Sequence, residues 1–85
     1  MYRIFTSNKR VERKLNDYIK SRKDVLEKLK RLSNNPRKEC GAHLLKGKLK
    51  GKWSCWLGSN IRLIYIIDDF NKTIWVESIG SHNVY

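Results

Sequence analysis

The chain has 85 residues, of which 40% are hydrophobic, and it contains three Trp and four Tyr. A chain this short buries only about 60% of its unfolded surface, which suffices for one small domain, residues 1–85, and excludes a second. The aromatic content excludes a disordered basic tail. The formal net charge of +11 favours a polyanionic partner, nucleic acid first and a membrane surface second.

The sequence has no leader-like apolar run and no stretch of 18 consecutive apolar residues. We therefore expect a cytoplasmic protein with no membrane partner. Cys40 and Cys55 are expected to be free thiols, because a reducing compartment keeps cysteines apart.

The N-terminal third predicts a short strand and a first helix. Residues 2–4 alternate in polarity as a strand does, and residues 6–8 offer a helix N-cap. Apolar residues then recur at helical spacing, with charged residues between them. This apolar face consists of Val11, Leu15, Tyr18 and Ile19.

A second helix is predicted directly after the first. Residues 21–24 fit the Ser-x-x-acid capping pattern, and residues 33–36 supply polar breakers and a proline that end the helix. Its predicted buried stripe is Val25, Leu26, Leu29 and Leu32. With only about two or three residues between them, the helices are expected to form an antiparallel hairpin.

The second half changes to the two-residue period of strands. Residues 45–53 alternate, residues 58–60 form a turn, residues 61–67 form an apolar strand, and residues 68–72 lead into a last strand over 73–79. The predicted fold class is α+β. We expect an N-terminal helical hairpin packed on a mainly antiparallel, twisted sheet of four strands, within a range of three to five, whose other face is at least partly open.

Four lysines alternate along residues 45–53: Lys46, Lys48, Lys50 and Lys52. On an extended strand they point the same way at intervals of about 6.6 Å, a spacing that suits successive phosphates. They are therefore candidate RNA-binding residues. The alternative is an edge strand that uses lysines to prevent aggregation.

Arg62 stands between Ile61 and Leu63 in the most apolar segment of the chain, so its guanidinium needs an anion. One interpretation is an internal ion pair with a residue such as Glu77 on the neighbouring strand. The other is a bidentate grip on a scissile phosphate, which makes Arg62 a candidate catalytic residue.

His82 and His43 are the candidates for proton transfer, since RNA cleavage by a 2'-hydroxyl needs a base and an acid. The alternative is that both are ordinary surface or loop histidines. The ring of Tyr85 could stack on a base, and its hydroxyl could take part in a hydrogen bond.

We expect no metal and no other cofactor. Cys40, His43, Cys55 and His82 supply four possible zinc ligands, but the spacing lacks a second close pair. The tryptophans Trp53, Trp56 and Trp75 fit core or sheet-face positions better than a stacking platform.

Three segments together resemble the RelE/ParE superfamily of toxins from type II toxin–antitoxin systems. They are residues 45–47 with Trp53, residues 61–65, and residues 79–85. The resemblance implies the RelE-like fold, a cognate antitoxin and, in the RelE branch, metal-independent cutting of mRNA in the ribosomal A site by 2'-hydroxyl attack.

The resemblance also implies residue roles. Arg62 falls on the family's phosphate-gripping arginine, and the four lysines on basic residues that bind RNA and assist proton transfer. Tyr85 falls on a tyrosine used for stacking or as a base, and His82 on a residue near the leaving group. His43 and His82 are similar to histidines of the YafQ-like subgroup, whereas Trp56 and Asn60 depart from it.

Three functions follow as hypotheses. The first is a ribosome-dependent mRNA endoribonuclease that inhibits translation. The second is a ParE-like inhibitor of DNA gyrase, which the fold alone does not distinguish from the first. The third is a non-catalytic basic module that binds RNA or the ribosome.

Overall fold

A computed structural model of the chain describes residues 1–58 and 60–81. Two helices follow the first strand, and four further strands come after them. The elements are β1 (Arg3–Thr6), α1 (Lys9–Ser21), α2 (Lys23–Asn34), β2 (His43–Leu44), β3 (Trp53–Trp56), β4 (Arg62–Asp68) and β5 (Thr73–Gly80), with short 3-10 turns at Glu39–Gly41 and Gly47–Leu49.

The five strands form one sheet in the order β1-β5-β4-β3-β2. The pair of β1 and β5 is parallel, and the other three pairs are antiparallel. The α+β class, the N-terminal helical hairpin and the mainly antiparallel sheet are thereby confirmed.

The two helices begin differently from one another. The Asn8 side chain caps α1 by accepting a hydrogen bond of 2.9 Å from the Val11 amide, as predicted for residues 6–8. The capping box predicted at residues 21–24 is wrong. Ser21 is the last residue of α1, and Arg22 alone connects the helices without a side-chain cap for α2.

The core lies between the helices and one face of the sheet. It is built from the two helices and strands β3, β4 and β5, with Val11, Leu15, Val25, Leu29, Leu32, Cys55, Leu63, Tyr65, Ile74, Val76 and Ile79 among its members. Leu26 was predicted to be buried, but it is 45% exposed and Ser33 is buried on α2 instead. The Tyr65 hydroxyl donates a 2.6 Å hydrogen bond to the Pro36 carbonyl, which ties β4 to the segment after α2.

The opposite side of the sheet, which we call the outer face, carries the alternate residues of β3 and β4. Trp56 is the cross-strand neighbour of Arg62, and Ser54 that of Ile64. Because side chains alternate along a strand, these four point away from the core residues Cys55 and Leu63.

The extended lysine strand predicted over residues 45–53 is wrong. Strand β2 ends at Leu44, and the chain then makes a 3-10 turn at Gly47–Leu49 before β3 begins at Trp53. Gly47 and Gly51 adopt φ values of 72° and 90°, which residues with a Cβ rarely take, so the chain bends at both. The Leu45 amide donates to the Lys52 carbonyl at 2.8 Å and closes the loop. We call residues 46–52 the lysine loop.

Candidate functional site

A cleft of about 590 Å³ lies on the outer face, between the lysine loop and the beginning of α1. Its lining combines two lysines, a carboxylate and two hydroxyl groups with two apolar side chains. The lining residues are Ser7, Lys48, Leu49, Lys52, Ile64, Glu77 and Ser78. A groove lined by lysines and apolar side chains can hold a chain of phosphates and planar bases.

The position of Glu77 follows from an irregularity in the sheet. The register of β4 and β5 shifts between Ile64 and Tyr65, which pair with Ser78 and Val76, so Glu77 is the extra residue of a β-bulge. Its carboxylate forms an ion pair with the Lys52 ammonium. Glu77 therefore joins β5 to the lysine loop across the cleft.

A second, smaller concavity of about 260 Å³ adjoins the first through Glu77 and Ser78. It reaches the start of α1, where Arg10 and Lys14 take part in its lining. The basic surface thus runs from the lysine loop past Glu77 to the first turns of α1.

Arg62 is the first residue of β4, and it lies on the same face of the strand as Ile64, two residues further along. Its guanidinium carbon is 4.5 Å from the centroid of the Trp56 ring, and the residue is half-buried. Stacking on an aromatic face restricts the orientations of the guanidinium. Glu77, which the sequence offered as an internal partner for Arg62, forms its ion pair with Lys52.

His43 lies on the same sheet face as Arg62. It is in register with Ser54 on β3, which is in turn in register with Ile64 on β4. Strands β2 and β4 are two strand spacings apart, and Arg62 is two residues along β4 from Ile64, so His43 and Arg62 are offset by about 10 Å across the sheet and about 7 Å along it. His43 is exposed, and its Nδ1 lies 3.2 Å from the Gly41 carbonyl oxygen.

The four lysines share the loop but differ in environment. Lys46, Lys48 and Lys50 are exposed, whereas Lys52 is half-buried. Lys48 and Lys52 line the cleft. His82 and Tyr85 lie outside the described residues, so their roles stay predictions from the sequence.

Sequence reasoning missed two features of the outer face. Glu77 was considered only as a partner for Arg62, because a bulge depends on pairing between strands and leaves no local signal. Phe5 and Trp75, which are 45% and 40% exposed, form an aromatic pair on the same face. The alternation of Ile4 with Phe5 at the N-terminus was the available signal for Phe5.

Cys40 and Cys55 are both free thiols, as predicted. The Cys40 thiol lies 3.3 Å from the Lys28 carbonyl oxygen, to which it donates. A hydrogen bond between the two thiols lowers the pKa of Cys40 and, with burial, raises the pKa of Cys55 far above its ordinary range. Within residues 1–58 and 60–81, no group of three His, Cys, Asp or Glu side chains could hold a metal ion.

The helices of the described part of the chain include none that is long and apolar enough to cross a membrane.

No protein-family model matches the chain, and no curated protein matches it by sequence. Solved structures do match over nearly the whole chain, and they include YoeB, ParE, RelBE2 and YafQ toxins of the RelE/ParE superfamily. The chain therefore has the RelE/ParE toxin fold, and the fold expected from the resemblance is confirmed.

Three of these structures show the extent of the similarity. The YoeB–YefM toxin–antitoxin complex from Staphylococcus aureus matches with a TM-score of 0.73 and 22% identity, covering 96% of this chain and 98% of that one. The RelBE2 toxin–antitoxin complex from Mycobacterium tuberculosis gives 0.74 and 23%, covering 95% and 98%. YafQ from Escherichia coli gives 0.67 and 23%, covering 96% and 94%.

Proposed function

We propose that this protein is the toxin of a type II toxin–antitoxin system and that it acts as a ribosome-dependent mRNA endoribonuclease. The observation that carries the proposal is the position of Arg62 on the outer face. It lies two residues along β4 from Ile64, which lines the cleft together with Lys48 and Lys52. A net charge of +11 adds the long-range attraction that an RNA substrate requires. The fold is one that such toxins share.

In the proposed reaction the RNA supplies its own nucleophile. A 2'-oxygen attacks the adjacent phosphorus while its proton passes to a base, and the bond from phosphorus to the 5'-oxygen breaks as that oxygen takes a proton. The products are a 2',3'-cyclic phosphate and a 5'-hydroxyl. The protein needs to hold the phosphate, stabilise the extra negative charge and move two protons, and no metal is required for any of these tasks.

Arg62 is proposed to donate to the phosphate oxygens as negative charge develops on them. Trp56 limits the orientations of its guanidinium, so less ordering is needed when the phosphate arrives. His43 is a candidate for one proton transfer, and His82 and Tyr85 are candidates for the other. The lysines Lys46, Lys48, Lys50 and Lys52 are proposed to hold the RNA strand.

The partners follow from this reaction and from the charge. The substrate is proposed to be mRNA in the ribosomal A site, which places the protein in the cytoplasm. A cognate antitoxin with an acidic binding segment is proposed to cover the basic surface in the resting complex. The matching structures include the YoeB–YefM and RelBE2 toxin–antitoxin complexes.

Primer extension on cellular mRNA after induced expression tests the nuclease. We expect codon-phased cuts with the wild type and a loss of about 100-fold or more with Arg62→Ala, as for removal of a donor to a developing oxyanion. Arg13→Ala, which removes an exposed arginine of α1, is the matched control and is expected to leave cutting intact.

The same experiment separates the other candidates. Intact message accompanied by broken DNA would overturn the nuclease in favour of a gyrase inhibitor. The YoeB/ParE toxin from Agrobacterium tumefaciens matches this fold equally well, with a TM-score of 0.74 and 16% identity. Intact message and intact DNA, with the protein retained on ribosomes, would favour a non-catalytic binding module.

A further inference from the structure

Phe5 and Trp75 form an exposed aromatic pair on the outer face, at the opposite side of the cleft from the lysine loop. They are partners in the parallel register of β1 and β5, and their ring centroids are 5.4 Å apart with an angle of 31° between the planes. The residues are 45% and 40% exposed. Two adjacent large aromatic residues exposed on a sheet face mark a binding surface more often than isolated ones do.

The pair directly adjoins the proposed RNA cleft. Phe5 precedes the cleft residue Ser7 by two positions, and Trp75 precedes the cleft residue Glu77 by two positions. Two residues of extended chain span about 7 Å. A single strand lying in the cleft can therefore place a neighbouring base over the aromatic pair.

The net charge of +11 favours a polyanion, and Arg3 supplies a cation beside the pair. Arg3 is exposed on β1 two residues before Phe5, on the same face of the sheet. The nearby carboxylate of Asp68 accepts two hydrogen bonds from Asn71, which hold it within its own turn without removing its charge.

A protein ligand would find a better surface elsewhere. An apolar groove of about 320 Å³ lies between β1 and the two helices, with Ile4, Leu15, Ile19, Leu26 and Leu29 in its lining. The aromatic pair instead combines flat π surfaces with the neighbouring Arg3, and surfaces that stack bases of single-stranded nucleic acid combine aromatic rings with cations in this way.

We propose that Phe5 and Trp75 form a base-stacking subsite for single-stranded RNA that extends from the cleft. This inference rests on the proposed function, because the cleft supplies the path of the RNA backbone. Stacking tolerates every base, so the subsite adds affinity and fixes the position of the strand without selecting a sequence.

The test measures binding of a short 2'-O-methyl oligoribonucleotide by fluorescence anisotropy. The methyl group blocks the attacking oxygen, so binding is measured without cleavage. Phe5→Ala and Trp75→Ala are each expected to weaken binding about tenfold, and Trp75→Phe to restore most of it, since a ring is retained. Phe70→Ala is the matched control: Phe70 is 94% exposed in the turn between β4 and β5 and is expected to leave affinity unchanged.

An oligonucleotide of abasic residues identifies stacking itself. The wild type and the two alanine variants are expected to bind it equally, since it keeps the phosphates but offers no base. A tenfold loss on the abasic oligonucleotide too, or unchanged affinity for the base-bearing one, overturns the subsite. Thermal melting of each variant shows whether it is folded.

The arms of the experiment separate this inference from the proposed function. Arg62→Ala in the same assay reports on the cleft. Weaker binding in Arg62→Ala with unchanged binding in the aromatic variants overturns the subsite and leaves the nuclease standing. If the wild type does not bind the oligonucleotide, the subsite is overturned, and primer extension in cells decides the nuclease independently.

Discussion

The Lys52 ammonium and the Glu77 carboxylate form an ion pair across the cleft on the outer face. Lys52 is the last residue of the lysine loop, and Glu77 is the extra residue of the bulge in β5. Their side chains are 33% and 28% exposed, so water screens the pair and its contribution to stability is small. Under the proposed function its larger consequence is for binding, because a phosphate that enters the cleft would compete with Glu77 for Lys52.

Replacing Glu77 by Gln is therefore expected to tighten RNA binding. A partly exposed ion pair contributes about 0.2–1 kcal/mol, so the gain is up to about fivefold. The dependence of log K on log salt should steepen by about 0.7, the value for one additional phosphate contact with a single strand. Titrations of a 2'-O-methyl oligonucleotide at several salt concentrations measure both quantities.

Glu12→Gln is the matched control for this prediction. It changes the net charge by the same amount on an exposed part of α1. If the two variants gain affinity equally, the effect comes from net charge, and competition for Lys52 is wrong.

The hydroxyl of Tyr65 is expected to be important for stability. It donates a 2.6 Å hydrogen bond to the Pro36 carbonyl from a fully buried ring. Tyr65→Phe leaves that carbonyl without its donor, which costs about 1–3 kcal/mol in the free energy of unfolding. Urea denaturation measures the loss, and Tyr18→Phe on the half-buried face of α1 is the control. An equal loss in the two variants would contradict the special role of the buried hydrogen bond.

Tyr65 is also expected to make the stability of the protein depend on pH in the alkaline range. Burial raises the pKa of Tyr65 well above its ordinary value of 10.0. Above about pH 10 the unfolded chain therefore loses this proton while the folded chain keeps it, so stability falls as pH rises. Denaturation midpoints between pH 9 and 11 are expected to fall less in Tyr65→Phe than in the wild type. Parallel slopes would show that other groups govern the decline.

The stability of the protein is also expected to depend on pH in the acid range, because of the contacts of Asp69, which directly follows β4. Arg37 donates to both carboxylate oxygens of Asp69 at 2.9 and 2.7 Å, and the Tyr2 hydroxyl donates at 2.5 Å. The hydrogen bond from Arg37 is the main cause that lowers the pKa of Asp69 below its ordinary value of 3.8. The resulting stabilisation is present above about pH 4 and is lost as pH falls towards the lower folded-state pKa.

Asp69→Asn is expected to flatten the loss of stability below about pH 4. Thermal melting between pH 2 and 6 measures this slope. Asp17→Asn on the exposed side of α1 is the control and should retain the wild-type slope. A wild-type slope in Asp69→Asn would mean that the contacts to Arg37 and Tyr2 do not persist in solution.

The elements that local patterns specify were predictable from the sequence. The cap at Asn8 and the turn between β4 and β5 depend on residues close together in the chain, and both were found. Leu26 was misplaced because helical periodicity predicts an apolar face without saying how much of it the sheet covers.

The candidate site was predictable only in part. Arg62 carried its own signal, a permanent charge among apolar residues. The sequence signal from the lysine loop was misleading, because the alternation of Lys with Gly and Leu is typical of a strand. In the structure, positive φ values at Gly47 and Gly51 bend this segment into a loop. The contact of Lys52 with Glu77 depends on the sheet register, which residues 25 positions apart do not reveal locally.

Replacing Arg62 by Lys tests whether the guanidinium is needed or only its charge. Lys keeps the positive charge but has neither the two-pronged donor edge nor the planar group that stacks on Trp56. Loss of one charge-assisted hydrogen bond costs about 1.5–3 kcal/mol, so cutting of mRNA is expected to slow by about 10- to 100-fold, less than in Arg62→Ala. Quantitative primer extension after brief induction measures the rate, and Arg13→Lys on α1 is the control. Wild-type cutting by Arg62→Lys would show that the charge alone suffices and that stacking of the Arg62 guanidinium on Trp56 is not needed for the proposed cutting.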